Sequence, residues 1–259
     1  GYIPAAFAYY ASLNLLGAKV LFSELTVHEL LDPAMATKKK AVERHHLFPR
    51  DYLHSIGIKG SSRTNKVANY ALVEWPDNRA ISNKAPMDYF PRMFEDRVPA
   101  AQREIARFWH ALPDGWELMD YDEFLVRRQK LIANVIKAGF EKHLQETRGH
   151  IQRVEKVFEM HGVAAKEVHC PAIDGILEEA DELAGDIADK QVLDAGLIAA
   201  AQAVAHYEMT RYGTLAAWAQ QLGRSDCAAE LQKNLKEEQA TDRKLTEMAE
   251  GGVNLQAAE

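Results

Sequence analysis

Two adjacent histidines are the residues of this sequence best suited to chemistry. Residues 45–49 read His-His-Leu-Phe-Pro, and Asn69 and Asn78 follow at short intervals. A neutral imidazole can take a proton from water, and nitrogen and oxygen ligands nearby can hold a divalent cation. Hydrolysis of a phosphodiester needs both an activated water and a cation. His45, His46 and the two asparagines therefore form a candidate phosphodiesterase site.

A small strand-containing finger is expected to position these four residues. Residues 41–92 alternate short apolar runs with turn clusters, which is typical of such a finger. Adjacent residues of a strand point to opposite faces, so a strand alone would not let His45 and His46 reach one metal ion. A local kink or a division of labour is therefore required. The alternative is that the histidines are a polar surface pair and that the asparagines belong to turns.

The rest of the chain has the periodicity of helices, so the predicted fold class is mainly α. One helical region begins near residue 4, breaks near Ser23 and stops at Asp32-Pro33. A segment without proline predicts one long helix over about 122–160. Further helices are expected at 98–111, 172–184, 191–222 and 225–248, with Gly223 as a stop signal and Ser225 as an N-cap candidate.

Composition and charge restrict the classes of partner. The 259 residues are 47% hydrophobic and 27% charged, which allows an ordinary core without metal or disulfide staples. Cys170 and Cys227 are far apart and predict free thiols and a cytoplasmic location. The apolar residues 1–22 are interrupted by Asn14 and Lys19, which favours a buried helix over a membrane span.

The two halves differ in charge. Residues 1–140 hold 19 Lys and Arg against 16 Asp and Glu, a net charge of +3, whereas residues 141–259 hold 12 against 22, a net charge of −10. The acidic half should repel nucleic acid. DNA is therefore expected to bind only the first half, through residues 38–92, which include Lys38-Lys39-Lys40.

The candidate site lies within a wider pattern of residues, carried by 43–49, 65–72 and 78–86 with flanks at 11–18 and 121–125. Through this pattern residues 1–140 resemble the C-terminal region of GmrSD-type restriction endonucleases. The resemblance implies an HNH (ββα-metal) finger that cleaves DNA with Mg²⁺ or Mn²⁺. It implies His46 as general base, Asn69 as the residue that orders the loop and orients the base, and His45 and Asn78 as metal ligands.

Acidic residues fall on the predicted inner faces of the second half. Glu208 lies in an apolar stripe of the helix at 191–222, and Glu238 and Asp242 lie in one of the last helix. Glu146 and His150 flank a predicted core face in the preceding helix. Such acids are costly to bury unless they are paired or metal-bound, and bundles use them in carboxylate-bridged metal sites. The alternative partners are His206, arginines, tyrosine hydroxyls or a dimer seam. The predicted core face consists of Phe140, Leu144, Thr147, Ile151, Val154 and Phe158.

Residues 140–249 resemble the YciF-like, ferritin-like stress proteins, over 140–150, 192–202, 206–219 and 237–246. The resemblance implies an antiparallel helical bundle that binds iron or manganese. Two departures indicate an incomplete site. Ala205 replaces the first Glu of a Glu-His-Tyr-Glu motif, and the family's first helix is not recognisable. A homodimer through the bundle, or a borrowed helix, would cover the open groove. The ligands carried over are Glu146, His150, Glu208, Glu238 and Asp242.

The chain is therefore predicted to join two parts near residue 139. Residues 1–139 are interpreted as an HNH nuclease-like region with flanking helices, and residues 140–259 as a ferritin-like domain. The main hypothesis is a metal-dependent DNA endonuclease fragment fused to this bundle. The alternative is a ferritin-like, metal-binding stress protein without nuclease activity, and a third is a composite with neither function. Natural fusion, recombination and an assembly artefact all stay open.

Overall fold

Helices dominate both parts of this chain, as the sequence predicts. The structure is a computed structural model that describes residues 4–31, 43–250 and 254–258. It divides into two compact units, Gly1–Phe140 and Glu141–Glu259. The described residues contain no helix that is both long enough and apolar enough to cross a membrane. Cys170 and Cys227 are free thiols.

The first unit surrounds a short hairpin with helices. Helix α1 ends at Leu16, where Gly17 adopts a φ of 66°, and the chain does not return to helix until Val27. The predicted break near Ser23 is thus a longer non-helical segment, and the predicted stop at Asp32-Pro33 lies outside the described residues. The elements are α1 Pro4–Leu16, α2 Val27–Leu31, β1 Glu43–His46, α3 Arg50–Ser55, α4 Ser61–Thr64, β2 Tyr70–Val73, α5 Trp75–Ile81, α6 Pro86–Arg97 and α7 Arg103–Trp109.

The two strands pair antiparallel and bring distant sequence segments together. His45 lies opposite Ala71 and His46 lies opposite Tyr70. The amide of Leu47 extends the pairing by donating to the carbonyl of Asn69, at 2.7 Å. Helix α5 follows β2 directly and contributes Asn78. Within residues 43–81 two paired strands are thus followed by a helix, in the sequence order strand, strand, helix.

A cluster of aromatic side chains packs against the segment that follows the first strand of the hairpin. Trp116 is fully buried, and its ring centroid lies 5.7 Å from Phe48, 4.8 Å from Phe90 and 5.2 Å from Phe124. Packed aromatic pairs of this kind add to the free energy gained by area burial. Phe48 comes two residues after His46, so the cluster fixes the chain directly beyond the candidate site.

A buried arginine fixes the backbone next to the hairpin. Arg128 has no exposed surface, and its guanidinium donates to the carbonyl of His110 at 3.0 and 3.1 Å and to that of Ala68 at 2.9 Å. Carbonyl acceptors compensate part of the cost of removing this charge from water. Since Ala68 precedes Asn69, this contact helps to set the position of Asn69.

Helix α8, Tyr121–Met160, is continuous, as the sequence predicts for 122–160. Its first part approaches α1 closely at Gly139. A Cβ atom added there would lie 2.5 Å from Ser12 Cβ and 2.8 Å from Ser12 Cα. Only glycine fits at this distance from the backbone of α1.

Replacing Gly139 by alanine should therefore destabilise the first unit. Alanine favours a helix over glycine by about 1 kcal/mol, but overpacking costs about 1–3 kcal/mol and should dominate. Urea unfolding followed by tryptophan fluorescence checks this. Gly175→Ala is the matched control in the second unit, because a Cβ atom there meets nothing within 4 Å. Urea unfolding of this variant, followed by far-UV circular dichroism, should show a stability equal to or higher than that of the unmodified chain. Equal stability of Gly139→Ala and the unmodified chain would contradict the close approach.

The second unit consists of helices whose bounds agree with the sequence prediction to within about two residues. The last two long helices are joined by a turn in which Gly223 has a φ of 72°. Small side chains line their contact with the end of α8, where Cys227 and Ala228 are fully buried. The elements after α8 are α9 Pro171–Asp186, α10 Lys190–Gln221, α11 Ser225–Met248 and α12 Asn254–Ala257.

The prediction of which residues of α8 form its core face is wrong. Leu144 and Ile151 are 49% and 55% exposed, Phe158 is 37% exposed, and Phe140 in the first unit is 61% exposed. Thr147 and Val154 are half-buried. The apolar repeat has helical spacing, but the side of α8 that contacts α11 carries His150, which accepts from Asn234 through its carbonyl and bonds to Glu237. Between residues 141 and 160, His150 is the residue of α8 that is buried.

Candidate functional site

Three long helices of the second unit bring together one imidazole and two carboxylates. His150 comes from α8, Glu208 from α10 and Glu238 from α11, and one ligand atom of each lies within 4.8 Å of the others. His150 and Glu238 are 3% and 4% exposed, and Glu208 is half-buried. Among the described residues this is the one group of three or more potential ligands at such distances.

The hydrogen bonds of His150 leave one ring nitrogen for a ligand. Its Nε2 lies 2.8 Å from Glu237 Oε2, and a carboxylate accepts, so Nε2 carries the proton. Nδ1 is buried without a hydrogen bond and lies 3.4 Å from Glu238 Oε1. Metal-binding histidines characteristically donate their other N–H to a carboxylate in this way. Arg153 in turn holds Glu237 through both of its oxygens.

The surroundings of Glu238 disfavour its ionised form. Burial raises the pKa of Glu238 well above its usual range, and the nearby carboxylate of Glu208 raises it further. Glu146 and Glu237 add to this repulsion. A divalent cation would replace the proton that Glu238 otherwise retains. One imidazole and two carboxylates also suit Fe²⁺ or Mn²⁺, so the residues fit a metal.

Two other predicted ligands lie outside this group. Glu146 affects Glu238 through its charge but is not among the three clustered residues. Asp242 instead accepts hydrogen bonds from Gln202 at 3.1 Å and from His206 at 2.9 Å. The structure thus brings His150, Glu208 and Glu238 together and gives Asp242 other partners.

Glu237 and Arg153 were not predicted from the sequence as residues of this site. Both lie beside the apolar stripes rather than in them, so a search for acids on inner faces passes over them. The spacing of His150 and Arg153, three residues apart on one helix, was the available signal for a shared partner.

The hairpin of the first unit brings His45 and Asn78 into direct contact. His45 Nδ1 lies 2.7 Å from Asn78 Oδ1, and His45 is 3% exposed. Burial lowers the pKa of His45 to about 4, although the hydrogen bond with Asn78 opposes this. The imidazole is therefore neutral at pH 7, which is the form that binds a metal.

His46 has hydrogen-bond and ring partners different from those of His45. Its Nε2 lies 3.0 Å from Asn65 Oδ1, and its ring centroid lies 4.5 Å from that of Tyr70. Burial lowers the pKa of His46, while the hydrogen bond with Asn65 opposes this. With Nε2–H donated to Asn65, the lone pair of a neutral His46 is on Nδ1. Asn65 was not predicted as a partner of His46, because it lies in a turn whose sequence has no periodic pattern.

Both histidines line one open depression of about 420 Å³. Arginines surround it, and among the described residues that line it Asp51 is the acidic one. This charge favours an anionic ligand. The lining arginines are Arg44, Arg50 and Arg79.

Asn69 connects the two sides of this site from within the core. It is fully buried, its Oδ1 accepts from the Phe48 amide at 2.8 Å, and its Nδ2 donates to the carbonyls of Phe48 and Thr64 at 3.1 and 3.0 Å. These bonds fix the segment after His46 and the turn that carries Asn65. Asn69 therefore positions the loop rather than contacting the depression itself.

Comparisons with known proteins concern mainly the second half of the chain. A family model described as "Domain of unknown function (DUF892)" matches residues 127–258. Protein YciF of Escherichia coli (strain K12) is 45% identical over 123 residues, which are 47% of this chain and 74% of that protein. A solved structure of YcfI from Rhodopseudomonas palustris is 45% identical, covers 54% of this chain and 82% of its own, and gives a TM-score of 0.39.

The family model matches only part of the chain, residues 127–258. The family model begins at residue 127, so it does not reach the hairpin, whose assignment depends on the residues of this chain. It covers half of the chain, and the chain covers more than two thirds of YciF at 45% identity. The chain therefore belongs to the DUF892 family.

Proposed function

We propose that this protein is a ferritin-like, metal-binding helical protein that serves in a stress response. The observation that carries the proposal is the buried group of His150, Glu208 and Glu238, in which the unbonded Nδ1 of His150 faces two carboxylates. The relationship to YciF supports the same function. Iron or manganese, when bound, would supply redox chemistry at this position.

The surrounding residues would prepare the site for the ion. His150, Glu208 and Glu238 would hold it. Glu237 keeps the imidazole of His150 in the required tautomer, and Arg153 keeps Glu237 in place. Since burial and Glu208 disfavour the ionised form of Glu238, a cation would offset that cost and stabilise the bundle.

The proposal is tested with the complete chain after removal of metal. Anaerobic equilibrium dialysis against Fe²⁺ or Mn²⁺ should show binding, and thermal unfolding should move to higher temperature. A ligand at 100 times its dissociation constant stabilises by about 2.7 kcal/mol. Mg²⁺ at the same concentration is the comparison, because it prefers oxygen ligands and should stabilise less. A chain that binds neither Fe²⁺ nor Mn²⁺ would not have this function.

A second candidate function is cleavage of DNA by the first unit, as an HNH-type endonuclease. The favouring observation is the contact between His45 Nδ1 and Asn78 Oδ1, at 2.7 Å. In that contact His45 Nδ1 carries the proton and Asn78 Oδ1 accepts the hydrogen bond, so a shared Mg²⁺ or Mn²⁺ would bind after the proton has moved to Nε2, which is buried without a hydrogen bond.

The remaining roles in this candidate function follow from position. His46 would take the proton from the attacking water, because its Nδ1 carries the lone pair in the neutral form. The arginines of the depression would contact phosphate groups. The DNA-binding surface proposed over residues 38–92 includes residues 38–42, which lie outside the described residues.

Asn65→Asp should change the pH dependence of any cleavage. A general base must be unprotonated, and burial keeps the pKa of His46 below its usual value. A carboxylate at position 65 would favour the protonated imidazole, so the acidic limb of the pH–rate profile should move to higher pH by about 1–3 units. Asn83→Asp is the control, because it adds the same charge to the depression without bonding to His46. An unmoved limb in Asn65→Asp would remove Asn65 as a positioning residue.

A further inference from the structure

The helix that supplies Asn78 begins with an exposed tryptophan. Trp75 is the first residue of α5, and 37% of its surface is exposed. A single aromatic residue on a protein surface has no meaning by itself. Its neighbours therefore decide what Trp75 can do.

Arg79 connects Trp75 to the depression at the hairpin. Its Cζ atom lies 4.7 Å from the centroid of the Trp75 ring, which is a cation–π contact. The two residues are four positions apart on α5, so they lie on the same face of the helix. Arg79 also lines the depression that contains His45 and His46. The Trp75 ring thus lies next to a residue of the depression and restricts the position of its guanidinium.

The lining of the depression is positive. Arg44, Arg50 and Arg79 line it together with Asp51, which gives these four residues a net charge of +2. The carboxylate of Asp51 lies 3.9 Å from Nε of Arg50, so it balances one of the three arginines in part. Arginine binds phosphate oxygens with paired N–H donors, and the phosphates of a nucleic acid strand match such a lining.

The aromatic surface beside the depression favours one form of nucleic acid. In a duplex each base is covered on both faces by its neighbours, so a base can stack on a protein side chain only when it is unpaired. An indole with a guanidinium packed on it is a stacking surface with a positive charge. Such a surface adds nothing to the binding of a duplex, whose bases present only their edges to a protein.

We propose that the depression binds an unpaired strand of DNA, with phosphates at the arginines and one base stacked against the Trp75–Arg79 pair. The inference rests on the second candidate function, cleavage of DNA by the first unit, and adds the form of the substrate. Trp75 would bind the strand and take no part in proton transfer. The contact needs no metal ion, so it can be measured without cleavage.

Fluorescence anisotropy with three labelled probes tests the proposal on the complete chain. The probes are a strand of about 12 nucleotides, the same strand in a duplex, and an abasic strand of equal length, which has the phosphates without the bases. EDTA is present, so metal-dependent cleavage cannot alter the probes. The parent chain should bind the intact strand more tightly than the other two. Trp75→Ala should weaken binding of the intact strand by about 5–100-fold, the effect of losing one stacked base, and should change the other two affinities little.

Three further variants separate stacking from charge and from folding. Trp75→Phe keeps an aromatic ring and should retain most of the affinity for the intact strand. Arg79→Gln should weaken binding of all three probes, because it removes a charge that phosphates contact. Trp218→Ala is the control, because it removes a tryptophan of the second unit that is 62% exposed, and it should bind like the parent. All variants should retain the circular dichroism of the parent.

The outcomes separate the inference from the candidate function. If Trp75→Ala binds the intact strand like the parent, or if the parent binds the duplex or the abasic strand as tightly as the intact strand, no base stacks at Trp75. The inference is then wrong, and DNA remains the substrate of the candidate function. If the parent binds none of the three probes, both the inference and the candidate function are wrong.

Discussion

Glu238→Gln is expected to abolish metal binding by the bundle and, at neutral pH, to stabilise the metal-free protein. Glutamine has nearly the same shape, so the packing of α11 should not change. It cannot supply the negative charge that holds the ion, and, unlike Glu238, it needs no proton in order to be buried next to Glu208. The same substitution should therefore lower the melting temperature with Mn²⁺ present and raise it after chelation.

The pH dependence of stability follows from the same carboxyl group. Its pKa in the folded protein is raised, so folding takes up a proton above the ordinary carboxyl pKa of about 4.3. The contribution of Glu238 to the stability of the metal-free protein is therefore complete below that pH and is lost as the pH rises toward the folded-state pKa. The slope cannot exceed about 1.4 kcal/mol per pH unit for one group. Glu238→Gln should remove this contribution.

Thermal unfolding at several pH values, with chelator or with Mn²⁺, measures both effects. Glu155→Gln is the matched control, because Glu155 is an exposed acid on α8. It should bind Mn²⁺ like the unmodified chain. Undiminished manganese binding by Glu238→Gln would show that the ion is held elsewhere. A metal-free variant that is less stable than the unmodified chain at neutral pH would contradict the cost assigned to burying Glu238 next to Glu208.

Much of the bundle could be predicted from sequence because its helices are long and periodic. Gly223 predicts the turn before α11, although Arg224 rather than the predicted Ser225 occupies the N-cap. The apolar stripes identify Glu208 and Glu238 as inward-facing acids. Periodicity could not show which side of α8 is buried. Its apolar stripe is exposed at Leu144 and Ile151, whereas the polar His150 is buried and contacts Glu237 of α11.

The hairpin was predicted less completely, for a different physical reason. His45 and Asn78 are 33 residues apart in sequence, and no local pattern indicates that they touch. Only the resemblance to a known motif associated them. Asn65 meets His46 because Asn69 fixes the turn between α4 and β2, and this tertiary constraint has no periodic signal in the sequence.

His46→Ala carries the largest expected effect in the first unit. If the hairpin cleaves DNA, removing the general base should slow nicking of a supercoiled plasmid by about 10²–10⁴-fold. The base contacts water rather than the ion, so this variant should still bind Mn²⁺ at the hairpin. His45→Ala should lose both the ion and the cleavage, because His45 is in contact with Asn78.

The distinction between base and ligand is best measured in the Glu238→Gln chain, which leaves the hairpin as the proposed Mn²⁺ site. His54→Ala is the control, because His54 is an exposed histidine of α3 in the same unit. It should nick and bind Mn²⁺ like its parent. If His46→Ala nicks as fast as His54→Ala, His46 is not the base. If no chain nicks while the parent still binds Mn²⁺ at the hairpin, the first unit is a metal-binding finger without nuclease activity, and the function of the protein lies in the bundle.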